Sequence, residues 1–174
     1  MNETHHAAVR AGAATEEDFA LFTTLTSLRD QYRAMHATEW SESVRDMLAL
    51  YDHYLQLGRF FRPQPLPRGY RRGKANQCYG NAFDLAVRTA GLTYCEGYTL
   101  ISLGSRAAEV EHGWCVAANG RVIELTLRQV GLSYFGIPYR PEQLAGNPDL
   151  PLTDDILLAL IKQSADGTPP PASG

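Results

Sequence analysis

Cysteine is scarce in this chain, long apolar runs are missing, and one stretch has no acid at all. The three cysteines, Cys78, Cys95 and Cys115, are odd in number and far apart, so they do not build a disulfide framework. No Cys-x-x-Cys occurs; a structural zinc site is therefore not expected, and neither is any other metal or cofactor. No apolar run reaches the roughly eighteen residues that a membrane-crossing helix requires. The N-terminus, Met1 to His6, has no basic segment followed by an apolar one, so it does not read as a secretory signal. These absences point to a soluble protein of a reducing cytosol and leave delivery to another cell by a signal-free route open.

The missing acid is local. Residues 59–74 carry Arg59, Arg62, Arg68, Arg71, Arg72 and Lys74 and no Asp or Glu. Residues 1–58 hold nine acids against four bases and residues 75–174 hold ten against six, giving a net charge of −3. The positive charge is thus gathered immediately before Cys78. Pro63, Pro65, Pro67, Gly69 and Gly73 interrupt the same stretch, which reads as a loop or extended arm. One reading makes it a solvated connector. The other makes it an electropositive lip that favours a thiolate at Cys78 or attracts an anionic substrate. A nucleic-acid partner is not expected, because the domain as a whole is acidic.

A chain of 174 residues is long enough for one domain with its own core. The expected domain covers residues 1–164, with 1–14 frayed and a Pro/Ser/Gly tail, 165–174, disordered. Thr15 followed by Glu16, Glu17 and Asp18 is a helix start. Phe19, Phe22, Leu25, Leu28 and Tyr32 then recur at helical spacing to about residue 36. Ser41 opens a second helix that ends near Gly58. His36 and His53 sit on these helices without a metal-spaced partner. A third helix runs from Asn76 to about Ala90. Strands are expected at 92–103, 109–116 and 121–127, residues 132–139 form a strand or loop closed by Pro138 and Pro141, and a last helix covers 153–161. The fold class is α+β: N-terminal helices, and a central helix carrying the cysteine packed on a small antiparallel sheet.

Cys78 lies in the first turn of the third helix, within Asn76-Gln77-Cys78-Tyr79-Gly80-Asn81-Ala82. There the helix dipole and unpaired N–H groups stabilise an anion, and the same N–H groups can form an oxyanion hole. Gln77 and Asn76 are candidate side-chain donors for it. Cys95 and Cys115 stand in apolar strands and read as core. His112 and Glu124 follow on the next strands. A thiol, an imidazole and a carboxylate in that order are a candidate nucleophile, base and orienting acid. Trp114 reads as packing beside the site, and Tyr79, Glu96, Tyr98 and Arg72 as candidate substrate contacts. Glu111 adjoins His112 but points to the opposite face.

The triad carries a condition. Residues of equal parity share a strand face. A two-residue Asn119-Gly120 turn puts Glu124 opposite Cys115, on the wrong face. A three-residue loop, Ala118-Asn119-Gly120, pairs Ala117 with Arg121 and sets Glu124 opposite Trp114, diagonal to His112. Such loops want a left-handed residue last, which Gly120 supplies.

Over residues 74–128 the chain resembles the papain-like cysteine hydrolases of the transglutaminase-like branch. Residues 76–82 are similar to that family's Gly-x-Cys-x-x-x-Ala nucleophile segment. Glu111-His112-Gly113-Trp114 resembles its His-Ala-Trp strand, and Val122-Ile123-Glu124-Leu125-Thr126 its Val-x-Asp-Pro-Thr strand. Glu124 replaces the aspartate, Leu125 the proline and Gly113 the alanine. The resemblance implies a papain-like or transglutaminase-like fold and a cysteine-dependent acyl-transfer enzyme without a cofactor. Such an enzyme is a protease, amidase, deamidase or transglutaminase acting on a protein or peptide, and the basic stretch before Cys78, not the resemblance, is what hints at an acidic one. Small relatives of this kind include effectors and phage-borne proteins. The alternative is a non-catalytic binding protein on the same fold that uses residues 59–74 as its contact surface.

Overall fold

The computed structural model describes residues 3–38 and 41–139. The expected helix at 153–161, the tail at 165–174 and Pro141 lie outside the described residues.

Four helices and one five-stranded antiparallel sheet make up the described part, an α+β arrangement. Residues 3–14, expected to fray, instead begin with helix α1 (Glu3–Arg10). It is held down because Ala8 is buried and His5 stacks on Phe19 with ring centroids 4.6 Å apart. Helix α2 (Glu16–Thr38) starts at a reciprocal cap. Thr15 Oγ1 accepts from the Asp18 N–H, and Asp18 Oδ2 accepts from the N–H groups of Ala14 and Thr15. These bonds satisfy donors that a helix start leaves without partners. Asp18 Oδ1 also accepts from Ser133 Oγ at 2.5 Å, tying α2 to the sheet through a buried carboxylate. Helix α3 (Glu42–Leu57) is capped by Ser41, whose Oγ accepts from the Val44 N–H, a contact worth about 1 kcal/mol.

The first residues of the basic stretch are not loop: β1 (Arg59–Phe61) is an edge strand. Helix α4 (Cys78–Arg88) follows the arm and starts at Cys78 itself. Strands β2 (Leu92–Leu103) and β3 (Arg106–Ala117) form a long hairpin. Strand β4 is short (Val122–Ile123), so most of the expected 121–127 strand is turn. Strand β5 (Ser133–Tyr139) lies between β1 and β2. It runs through Pro138, which sequence alone suggested would end it. β1 pairs only with residues 134–136, so the missing N–H of Pro138 costs no bond on that side.

The sheet order is β1-β5-β2-β3-β4, and it curls until its two edges meet. The Arg62 N–H donates to Gly120 O, and the Val122 N–H to Arg62 O. Strand alternation then sorts the core. Tyr94, Tyr98, Cys115, Ile123, Phe135 and Ile137 pack under the helices. Phe61, Cys95, Trp114, Val116, Val122 and Tyr134 form a second cluster on the other face, inside the curl. His112 and Glu124 share the parity of this inner set. No helix of the described residues is long and apolar enough to cross a membrane.

Candidate active site

The β3–β4 connection decides which face Glu124 occupies. Val116 pairs with Val122, Cys115 pairs with Ile123, and the Ala117 N–H donates to Arg121 O at 3.0 Å. The loop is therefore the three-residue Ala118-Asn119-Gly120, with Gly120 at φ +77°. That left-handed conformation is open to glycine without a Cβ clash. The odd loop brings Glu124 to the face of His112, and His112 Nε2 lies 2.7 Å from Glu124 Oε2. Both are buried, at 3 % and 2 % exposure.

Glu124 is fully engaged. Oε1 accepts from the N–H groups of Thr126 at 2.6 Å and Leu127 at 2.9 Å. Oε2 takes His112 and the Tyr134 hydroxyl, the latter at 2.9 Å. Burial pushes its carboxyl up, but the His112 hydrogen bond and charge and the two N–H groups more than offset this, so it is held below its ordinary value. The turn that shortens β4 supplies those two N–H groups.

Cys78 reaches the same imidazole from the helix side. Gly113 makes this approach possible: a Cβ there would stand 2.8 Å from Tyr79 Cδ1 and 2.9 Å from Tyr79 Cα. The first turn of α4 thus lies directly on β3 and sets the Cys78 thiol close enough to the His112 side chain for each to shift the other's pKa. Since Glu124 holds Nε2, Nδ1 is the nitrogen left for sulfur. Burial raises the Cys78 pKa, but the His112 hydrogen bond, the Gly113 N–H, the imidazolium charge and the Tyr79 N–H together bring it below the ordinary thiol value. Burial acts to lower His112, yet its bonds to Cys78 and Glu124 push it up to about 9. The two shifts have one physical origin, because each partner favours the charged form of the other.

Gln77 is the N-cap residue of α4, and its side chain makes no capping bond. Asn76 before it has φ +59°, a conformation asparagine tolerates better than most residues. Both are exposed at the edge of the site. Arg72 stays near it by donating to the carbonyls of Leu127 and Arg128. A cavity of about 170 Å³ lined by Leu66, Arg72, Glu124 and Arg128 lies behind the carboxylate. Tyr79 contributes its N–H.

The other candidates, Glu96, Tyr98 and Trp114, are buried. Glu96 is buried on the helix-facing side and accepts from Tyr94 OH. Tyr98 is buried between Tyr51 and Tyr54 and donates to Glu111. Glu96 pairs in register with Gly113, against which Tyr79 packs. Trp114 is fully buried in the inner cluster, its ring stacked beside His112 at 6.3 Å.

Two contributors were not anticipated. Tyr134 joins Glu124 across the sheet, and no sequence signal links them, because the contact depends on β5 being central. Asn81 accepts from the Lys74 N–H and donates to Lys74 O and Thr126 Oγ1. It pins the arm and the 124–127 turn to the first turn of α4. Its signal was at hand, one helical turn after Cys78 in the same polar segment. Among the described residues, no group of three or more His, Cys, Asp or Glu is arranged to hold a metal ion.

Comparison with protein-family models, with curated proteins and with solved structures finds no match to this chain.

Proposed function

We propose that the protein is a cysteine-dependent acyl-transfer enzyme of papain-like or transglutaminase-like type, with Cys78 as nucleophile, His112 as proton carrier and Glu124 as its orienting acid. One observation carries this reading. A single buried imidazole is bonded on one nitrogen to a saturated carboxylate and stands close enough to a thiol at a helix start to lower its pKa. A merely structural histidine needs neither the thiol nor four bonds on its carboxylate partner. The helix laid across an antiparallel sheet agrees with the same family resemblance.

The chemistry follows from the geometry. Cys78 Sγ, as thiolate, attacks a carbonyl carbon and the C=O electrons move onto oxygen. The Cys78 N–H at the start of α4 and the uncommitted Gln77 amide are the donors for that oxyanion. The carbon–nitrogen bond breaks as His112 Nδ1–H gives its proton to the leaving amine. A thioester on Cys78 is left. Water or an amine then attacks it, losing a proton to His112, and the thiol is released. Hydrolysis, deamidation and transamidation differ only in leaving group and acceptor.

The test is the alkylation rate of Cys78 by iodoacetamide at neutral pH, followed by a screen of peptide, isopeptide and glutamine substrates with Cys78→Ala as control. Fast alkylation that is lost in His112→Ala is the expected outcome. A rate no greater than that of glutathione would overturn the reading.

A further inference from the structure

We infer that residues 62–74 form a fixed cationic rail that docks an acidic, extended segment of the substrate and leads it to Cys78. The inference rests on the acyl-transfer reading only for what happens at the thiol.

The arm is not a loose connector. It is bonded at both ends, and between them Leu66 and Tyr70 pack against the core. Arg62 bonds to Gly120 and Val122, Gln64 Nε2 donates to Val122 O, the Gly73 N–H donates to Leu125 O at 2.8 Å, and Asn81 clamps Lys74. Arg72 is tied to the 127–128 carbonyls. Its backbone is thereby held, and the chain passes straight from it into the nucleophile segment.

Among the described residues its cations pair with no carboxylate. The ion pairs of the described residues engage Arg29, Arg33 and Arg45 of α2 and α3, together with the His112–Glu124 pair. Arg62, Arg68, Arg71, Arg72, Lys74 and Arg128 are exposed and enter none of them. The nearby carboxylate, Glu124, is buried and already fully bonded. A row of exposed cations with no carboxylate partner among the described residues raises the local concentration of an anionic ligand. A fixed row beside a nucleophile does so where reaction occurs.

The favoured ligand is an acidic peptide rather than a nucleic acid. Base stacking needs exposed aromatic faces. The aromatics of this stretch are otherwise committed: Phe61 is buried inside the curl, Phe60 packs against Phe135 at 4.8 Å, and Tyr70 packs against the main core. An acyl-transfer thiol also requires a carbonyl substrate, which a peptide supplies.

The experiment measures binding of three fluorescein-labelled decapeptides, one rich in Asp and Glu, one uncharged and one rich in Lys, to full-length Cys78→Ala protein by anisotropy. Oligothymidylate of similar length serves as a second polyanion. The acidic peptide is expected to bind at least about tenfold more tightly than the others, and to weaken about tenfold or more between roughly 50 and 300 mM salt. The triple variant R68E/R71E/K74E, with its thermal transition as the check on folding, is expected to lose that binding. In the native chain the acidic peptide should also slow alkylation of Cys78 by iodoacetamide. Equal binding of acidic and uncharged peptides overturns the proposal, as does retention of binding by the triple variant or tighter binding of the oligonucleotide. Iodoacetamide alone is small and uncharged, so it probes the thiol separately. Slow alkylation with intact acidic-peptide binding removes the enzyme and keeps the rail; fast alkylation without such binding does the reverse.

Discussion

Cys78 and Cys115 touch the same helix and have opposite chemistry. Cys115 Sγ donates to the Ala82 carbonyl at 2.9 Å, on the buried flank of α4, and burial pushes its thiol up to about 12. Cys78 stands at the helix start, half-buried, and is held below its ordinary value by an imidazole and two backbone N–H groups. Cys95, inside the curl, is also raised well above normal by burial. Burial raises every one of these thiols; at Cys115 the Ala86 N–H offsets only part of it, whereas at Cys78 the imidazole and the backbone N–H groups outweigh it. What separates a nucleophile from core filling here is the imidazole beside a half-buried sulfur, which Cys115 and Cys95 lack.

The largest expected effect breaks the comparison outright. Cys78→Ala should abolish acyl transfer and iodoacetamide labelling, while Cys115→Ala and Cys95→Ala should keep both and lose about 1–2 kcal/mol of stability to small cavities. Mass spectrometry of the alkylated native protein should place the label on Cys78 alone. Substantial labelling of Cys115 under native conditions would erase the distinction.

Removing the imidazole is expected to cost nearly as much. His112→Ala should lower acyl transfer by about 10²–10⁴-fold, and the alkylation rate at pH 7 should fall as the thiol returns toward an ordinary pKa. The pH profile gives the sign. The thiolate–imidazolium pair exists above the depressed Cys78 value and below the raised His112 value of about 9. Acyl transfer should therefore rise on an acid limb below the ordinary thiol pKa and fall as pH passes about 9. His112 also stabilises the fold fully below its unfolded value of 6.5, and that contribution is lost as pH climbs through about 9. A profile that only begins to rise at pH 9 would mean that Cys78 is as inert as its neighbour.

Glu124→Gln keeps the shape and removes the charge. It should cost on the order of 100-fold in acyl transfer, because the amide no longer favours imidazolium. Glu124 has a depressed folded pKa, so its stabilisation is present above its ordinary value of 4.5 and fades as pH falls through the folded one. In chemical denaturation the native protein should lose stability in acid through this group, and the variant should not.

Much of this was legible in sequence, for local reasons. Helical spacing located α2, α3 and α4, and Leu92–Leu103 matches the strand read from its composition. The parity rule reduced the triad to a single question of loop length, and the loop is the three-residue kind. What escaped was non-local. α1 looked like a frayed end because its burial comes from docking on α2, not from its own polar sequence. Pro138 argued against a central strand until β1 proved too short to reach it. Tyr134 meets Glu124 only because β5 crosses between β1 and β2, and a periodicity confined to one strand carries no information about its neighbours.

The smallest effects sharpen the contrast at the contact between α4 and β3. Gly113→Ala restores the residue expected from the family resemblance, but its Cβ meets the Tyr79 backbone at 2.9 Å and the ring at 2.8 Å. The first turn of α4 must move, at a cost of about 1–3 kcal/mol for an overpacked contact. The Gly113 N–H should then no longer reach Cys78 Sγ. The expected result is a several-fold slower alkylation of Cys78 with Cys115 still silent, because Cys115 packs one turn further along the helix, against Ala82. Tyr134→Phe is milder. It removes one of the bonds on Glu124 and leaves His112 and both N–H groups in place, so acyl transfer should fall a few-fold, with the acid limb shifted to higher pH. If Gly113→Ala left the alkylation rate untouched, the helix start would not be what sets Cys78 apart, and the imidazole alone would have to account for it.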